Sequence, residues 1–370
     1  VRALVCGSPG NVALREVPAP DPGPGEVLVR VGAALTCGTD LKIAQRGHPK
    51  IPFPLTLGHE WAGVVEKAGA GAAWEPGARV TSAVSAPCGA CAACRAGREN
   101  LCETAFDRPL FGAFADFLLV PERLAKNGLR RIPDGMPDET AALLDPLASI
   151  VRGLNRVRDA RGGDVLVAGT GPIAAMLVFL LRGKTRGGAE RRIVVAGRRA
   201  ERLVFFERNM AEVAHIGPST QAGDADAPPP VFTFKGNSPA PSRIDDTKRT
   251  GGGEGEGAEK FSLVVDTTGD PDVIAALPAL TADGGTILLF AGLPAGAHVS
   301  IDAHAVHYRE VSIVGSFHYT PREVDEALAL LSSGAIPAAE IVSARRPLSE
   351  WQAAFELARA GAALKVAVIP

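Results

Sequence analysis

The sequence predicts an α/β chain of two domains, a β-rich one followed by a doubly wound parallel sheet, and three observations carry that prediction. First, up to about Arg152, short β-type runs such as 27–31 and 114–120 alternate with Gly and Pro punctuation. Second, from there on strands and helices alternate, the pattern of a parallel sheet. Third, the closing run 364–369 is strand-like and can return to the first domain. In order, the second domain reads as strand 164–168, a glycine turn, apolar helix 173–181, strand 192–196 and helix 200–210. Strand 261–266, helix 271–280 and strands 285–290 and 311–315 complete it. Between 217 and 260 the composition breaks down into Pro228-Pro-Pro230 and a glycine-rich run, 251–257, which reads as a surface insertion containing one short strand, 231–234.

The chain has 370 residues, 46% of them hydrophobic and 22% charged, enough for two ordinary cores. With 39 Lys and Arg against 41 Asp and Glu, the formal net charge is -2, and the basic residues are scattered. Nothing in that balance calls for nucleic acid, and a small neutral substrate fits better. The first residues enter a strand directly, with neither a signal-type apolar core nor a span of 18 apolar residues, so the expectation is a cytoplasmic protein without a membrane segment.

Four cysteines stand as Cys88-x-x-Cys91-x-x-Cys94-x7-Cys102. At C-x-x-C steps four thiolates can turn toward one centre at about 2.3 Å, and soft sulfur in tetrahedral array selects zinc or an iron–sulfur cluster. Zinc is the expected ion, in a lobe over about 86–103. With all four positions filled by protein, such a site is structural. Two disulfides are the other use of the same residues. Only Cys6 and Cys37 lie outside the cluster and nothing suggests export, which favours metal.

Cys37 follows the run 27–31 within Thr36-Cys37-Gly38-Thr39-Asp40, and Gly58-His59-Glu60 comes 22 residues later. A thiolate, an imidazole and a carboxylate on loops beside neighbouring strands can form an open three-ligand zinc site with one position left for a substrate oxygen. Taken singly, a loop cysteine or a His-Glu pair is as readily a packing or polar contact. Gly169-x-Gly171-x-x-Ala174, after a strand and before an apolar helix, has the setting of a dinucleotide fingerprint. Its glycines, with Pro172 and Ile173 opening the helix, would let the backbone meet a pyrophosphate. At the end of the next strand, Gly197-Arg198-Arg199 carries no acidic residue to accept a ribose hydroxyl. Gly197 is expected to leave space and the two guanidinium groups to pair with a 2′-phosphate, which predicts NADP(H) over NAD(H). The alternative is that the arginines only begin a surface helix.

Taken with Gly58-His-Glu-x-x-Gly63-Val-Val, Gly77-Ala-Arg-Val80, Gly112-Ala-Phe-Ala115 and Asp145-Pro-Leu-Ala148, these motifs make the chain resemble the zinc-dependent medium-chain alcohol and polyol dehydrogenases. Within that family it is similar to the sorbitol and threonine dehydrogenase branch. The resemblance implies a GroES-like first domain over 1–152, a Rossmann domain over 153–335 and a return to the first over 336–370, with the active cleft between them. It implies that Cys37, His59 and Glu60 hold a catalytic zinc and that Asp145, where the family usually has Glu, approaches it as a neighbouring or exchanging ligand. It also implies that Thr39 relays the substrate proton, while Asp40 is expected to orient a ligand such as His59. Lys42 stands where related polyol enzymes often have His, which leaves His48 as a weak local candidate for proton exit. The remaining histidines, His215, His298, His304, His307 and His318, form no metal-like spacing.

The expected activity is interconversion of a secondary alcohol, a polyol or sugar-derived hydroxyl, with its ketone, using two zinc ions per chain and NADP(H). The alternatives are a primary-alcohol or aldehyde reductase of the same fold and an NAD-dependent polyol dehydrogenase. A zinc-stabilised binding protein without catalysis would need neither the open site nor the cofactor turn. Zinc-free quinone reductases would lack both cysteine-based sites. The family commonly forms dimers or tetramers, so a homodimer or homotetramer is expected.

Overall fold

The computed structural model describes residues 1–48, 51–157, 162–183, 188–209, 211–217, 230–234 and 259–370. The chain divides into two compact units, Val1–Arg152 with Phe317–Pro370, and Gly153–Ser316. The return to the first unit thus comes at Phe317, earlier than the expected 336. Tyr319 accounts for the difference, because it is buried within the first unit and donates to Asp145 there.

In the first unit, one sheet runs in the order Val342–Pro347, Lys365–Ile369, Val27–Leu35, Glu60–Ala68, Arg79–Ser82, Leu129–Arg131. Phe117–Val120 also pairs with Val27–Leu35, whose near-continuous apolar run VLVRVGAAL suits a strand buried on both faces. The closing strand Lys365–Ile369 pairs antiparallel with it, Ala367 opposite Leu35 and Val368 opposite Ala34. A small sheet of Asn11–Glu16, Arg2–Ser8 and Leu55–Thr56 packs its apolar residues, including Leu4 and Cys6, into the same core around Trp61, Phe114 and Phe355.

The second unit holds a sheet in the order Phe232–Phe234, Glu212–Ile216, Ile193–Gly197, Val165–Ala168, Phe261–Asp266, Thr281–Leu289, Ser312–Gly315. Every pairing is parallel except that of Phe232–Phe234 at one edge. The order reverses between Val165–Ala168 and Phe261–Asp266, so a switch point lies at the carboxyl ends of these two strands, where α/β sheets bind ligands. Val165–Ala168 is fully buried, as its uninterrupted apolar run requires. Pro172 and Pro271 open helices Pro172–Leu181 and Pro271–Leu280, where a missing N–H costs nothing.

Most expected elements of this unit recur within one or two residues, and one differs. The strand expected at 285–290 begins at Thr281, because Asp283 and Gly284 form an irregularity inside it, with Gly284 at φ 69, instead of a turn before it. The expected strand at 231–234 is present as Phe232–Phe234. Most of the stretch 217–260, including Pro228, Pro229 and the glycine run 251–257, lies outside the described residues, as does Met210 at the end of the expected helix 200–210. Among the described residues no helix is long and apolar enough to cross a membrane.

Candidate active site

Two antiparallel strand ends build the site. Leu35, the last residue of Val27–Leu35, pairs with Glu60, the first residue of Glu60–Ala68. Cys37, two residues past one end, and His59, one before the other, are therefore neighbours across the ladder. Thr36 is fixed by exchanging hydrogen bonds with Val366: its N–H donates to the Val366 carbonyl, and its hydroxyl accepts from the Val366 N–H, both at 3.0 Å. Cys37 then caps helix Gly38–Arg46 in extended conformation. Gly58 sits at φ 92, and a Cβ there would stand 2.6 Å from the Phe114 nitrogen, so only glycine lets the chain turn to present His59.

The ligand atoms of Cys37, His59 and Glu60 lie within 4.8 Å of one another, and His59 and Glu60 are buried. Asp40, fully buried in the first turn of helix Gly38–Arg46, accepts from the Gly58 N–H at 2.9 Å through Oδ1. Its Oδ2 stands 3.1 Å from His59 Nδ1, close enough to pair in charge although not aligned for a linear hydrogen bond. The expected contact between Asp40 and His59 is thus present. Burial acts to lower the His59 pKa, but Asp40 and Cys37 outweigh it and raise it well above 6.5. The negative charges of Asp40 and Cys37 that raise it would also attract a metal cation.

The sequence reading missed Lys365, which is only 2% exposed and whose ammonium pairs with Glu60 Oε2 and donates to the Thr36 carbonyl at 3.3 Å. Burial acts to lower its pKa, and Glu60, Cys37 and Asp40 together raise it above the ordinary lysine value. The signal was available, since a lysine inside the apolar run 364–369 has to be paired if that run is a buried strand. Burial raises the Glu60 carboxyl, Lys365 and His59 pull it down, and Asp145 adds to the rise.

Asp145 is not within the three-residue cluster. Second in helix Leu144–Arg156, it accepts at Oδ1 from the Val84 N–H at 2.8 Å and from the Tyr319 hydroxyl at 2.7 Å. Tyr319 was also missed. Thr39 and Lys42 are exposed on helix Gly38–Arg46, and His48 is exposed beyond it, bridged to Ile51.

The four lobe cysteines come together as expected, two of them buried, and none is in a disulfide. Backbone N–H groups point at their sulfurs: Ala90 and Cys91 donate to Cys88 Sγ at 3.4 and 3.3 Å, and Cys88 donates to Cys102 Sγ at 3.3 Å. Those two donors lower the Cys88 pKa to about 6, and corresponding bonds from Cys94 and Glu103 lower that of Cys91, whereas burial pushes Cys94 up to about 12. Amides aimed at thiolates favour the deprotonated, metal-binding form. Among the described residues no other histidine joins a metal-like group.

In the second unit, Gly169 is at φ 118, and a Cβ there would stand 2.1 Å from Thr267 Oγ1. Gly171 caps helix Pro172–Leu181, and a Cβ there would meet nothing within 4 Å. The fingerprint glycines therefore leave an open face at a helix start on the switch point, which is what a pyrophosphate needs. Ile173 follows Pro172 into that helix. At Gly197 a Cβ would stand 2.3 Å from Thr170 Cγ2, so the missing side chain lets Thr170 of the fingerprint turn pack against this strand end. Arg198 and Arg199 are exposed at the start of helix Ala200–Arg208. Arg198 Nη2 pairs with Asp270 Oδ2 at 2.5 Å.

Residues 23–133 match the alcohol dehydrogenase GroES-like domain family and residues 240–333 match the zinc-binding dehydrogenase family. The chain is 33% identical to D-altritol 5-dehydrogenase of Agrobacterium fabrum, over 92% of this chain and 91% of that protein. It is 28% identical to L-threonine 3-dehydrogenase of Rhizobium rhizogenes, over 99% and 97%. Among solved structures, a zinc-binding dehydrogenase of Sinorhizobium meliloti bound to NADP superposes with TM-score 0.78 at 29% identity, covering 100% of this chain and 99% of that one. An alcohol dehydrogenase of Thermus sp. ATN1 does so with TM-score 0.77 at 27% identity and the same coverage.

Proposed function

Because the chain belongs to the zinc-dependent medium-chain alcohol dehydrogenase family and is an alcohol oxidoreductase, we propose that it interconverts a secondary alcohol, a polyol or sugar-derived hydroxyl, with its ketone, using NADP(H). The observation that carries the substrate class is the likeness to a polyol dehydrogenase along nearly the whole chain, joined to a cluster of three candidate ligands, one short of tetrahedral coordination. The NADP(H) reading is supported by the NADP-bound neighbour and by the absence of an acidic residue directly after Gly197.

When bound, zinc supplies Lewis acidity at the substrate oxygen and the nicotinamide accepts the hydride. The donor set fits the metal, with one partly buried thiol, one buried imidazole and one buried carboxyl group. Cys37 and Glu60 contribute the two negative charges that offset the dication. Asp40 Oδ2, 3.1 Å from His59 Nδ1, favours the proton on that nitrogen by charge, so that Nε2 would be the nitrogen for the metal. Thr39, exposed on the first turn beyond Cys37, takes the substrate hydroxyl proton and passes it toward solvent. Cys88, Cys91, Cys94 and Cys102 hold a second zinc and take no part in the chemistry.

Steady-state kinetics over a panel of polyols, simple secondary alcohols and aldehydes, each with NADP(H) and NAD(H), tests the proposal. The expected result is the highest kcat/KM on a polyol with NADP(H). Turnover confined to simple aldehydes would reverse the substrate reading, and a clear preference for NAD(H) would sink the cofactor reading.

A further inference from the structure

The segment 317–319, where the chain re-enters the first unit, touches two sites that the sequence keeps apart. Tyr319 and Val84 both donate to Asp145 Oδ1, at 2.7 and 2.8 Å. The lone pairs of that oxygen are thereby used, and Oδ2 is the oxygen left for any ligand. Val84 lies two residues past strand Arg79–Ser82, which pairs Thr81 with Ala62. Asp145 is near enough for its charge to act on the Glu60 carboxyl. Asp145 is therefore held at the border of the Cys37, His59 and Glu60 cluster.

The other side of the segment is gripped by the cysteine lobe. Asn100, between Cys94 and Cys102, donates to the Phe317 carbonyl at 3.1 Å. His318 stands at φ 58, a conformation that costs a non-glycine residue free energy and persists only where its surroundings impose it. Its Nε2 is 2.7 Å from Ser85 Oγ, and its ring centroid is 4.8 Å from that of Phe106 and 3.8 Å from that of Tyr319. Arg152 extends the brace, reaching Asn100 Oδ1 at 3.4 Å and Glu323 at 3.3 Å.

We propose that Tyr319 is a positioning residue for Asp145, and that the four-cysteine lobe acts on the catalytic cluster through segment 317–319 by fixing where the Asp145 carboxylate stands. The inference rests on the reading of Cys37, His59 and Glu60 as metal ligands. Without the phenol, Asp145 keeps one donor and gains freedom to turn toward or away from the cation. Without Asn100, the segment loses its hydrogen bond to the lobe.

Cobalt(II) exchanged into the catalytic position, with zinc kept in the lobe, reports ligand number and geometry through its visible absorption. Tyr319→Phe and Asn100→Ala are each expected to shift that absorption and to change the metal Kd by roughly tenfold while circular dichroism stays native. The double variant Tyr319→Phe/Asp145→Asn is expected to match Asp145→Asn alone, since both changes act through one carboxylate. An unchanged spectrum and Kd in Tyr319→Phe, or effects that add in full in the double variant, would overturn the inference. If Tyr319→Phe does not fold, Asn100→Ala with and without Asp145→Asn makes the same comparison. Cobalt binding that survives Cys37→Ser unaltered would overturn the ligand reading itself, and the inference with it.

Discussion

The ammonium of Lys365, on the closing strand of the chain, is buried against the carboxylate of Glu60, on the strand that opens with the candidate metal cluster. The pair joins the last element of the sequence to the site some 300 positions earlier, and Thr36 supplies a second acceptor for the same ammonium. In the metal-free protein, removing one member leaves the other as an uncompensated buried charge. Lys365→Met is therefore expected to lower the unfolding free energy by about 3–5 kcal/mol, whereas Lys365→Arg retains most of it. Denaturant melts of the three proteins check this, and a loss in Lys365→Met no larger than that of a surface substitution would contradict the buried pairing.

The two cysteine-based clusters are expected to differ in where the main cost of mutation falls. Cys37→Ser should abolish turnover and bring metal content from two zinc ions per chain to one, with thermal stability nearly unchanged. Cys94→Ser should also remove one ion, but its cost should fall on stability, because Cys94 is buried and the lobe has little apolar core besides its cysteines. Metal analysis by mass spectrometry with thermal melts tells the two apart. Full turnover in Cys37→Ser would remove that residue from the chemistry.

His318 gives a pH signature. Burial holds its pKa at about 4 in the folded chain, against an ordinary 6.5. The unfolded chain binds the proton more readily, so stability is full above pH 6.5 and falls as pH drops toward 4. The expected loss is on the order of 1–3 kcal/mol. Asn accepts a positive φ and does not titrate, so His318→Asn should flatten the profile in that window. Denaturant melts at pH 7 and pH 5 measure it, and an equal slope in both proteins would show that the slope arises elsewhere.

Much of the fold was legible because it follows from periodicity and punctuation. The apolar run ending at Ala168, the glycine turn and Pro172 specify strand, loop and helix almost without tertiary help. Cys37, His59 and Glu60 were legible only in company, through the motifs around them. Lys365 and Tyr319 were not, since each meets its partner across more than 170 positions and neither sits in a motif that names a partner. Gly197 packs in a way its motif does not announce. A Cβ on this glycine would meet Thr170 of the neighbouring turn, a contact that no local pattern reveals.

That contact also constrains any attempt to change cofactor preference by giving Gly197 a side chain. A Cβ there would approach Thr170 Cγ2 to 2.3 Å, and Thr170 lies between the two fingerprint glycines, so the clash would shift the turn that is to hold the pyrophosphate. Gly197→Ala alone is expected to weaken binding of both NADP(H) and NAD(H) and to cost about 1–3 kcal/mol of stability. Thr170→Ser removes the methyl and keeps the hydroxyl, whose oxygen would be 3.4 Å from the new Cβ. The pair Thr170→Ser/Gly197→Ala should therefore recover most of the lost affinity and stability. Fluorescence titration with NADPH and NADH, alongside thermal melts of the two single variants and the pair, measures this coupling. If Gly197→Ala binds both cofactors as the unmodified chain does, the turn is not packed against Gly197 in this way.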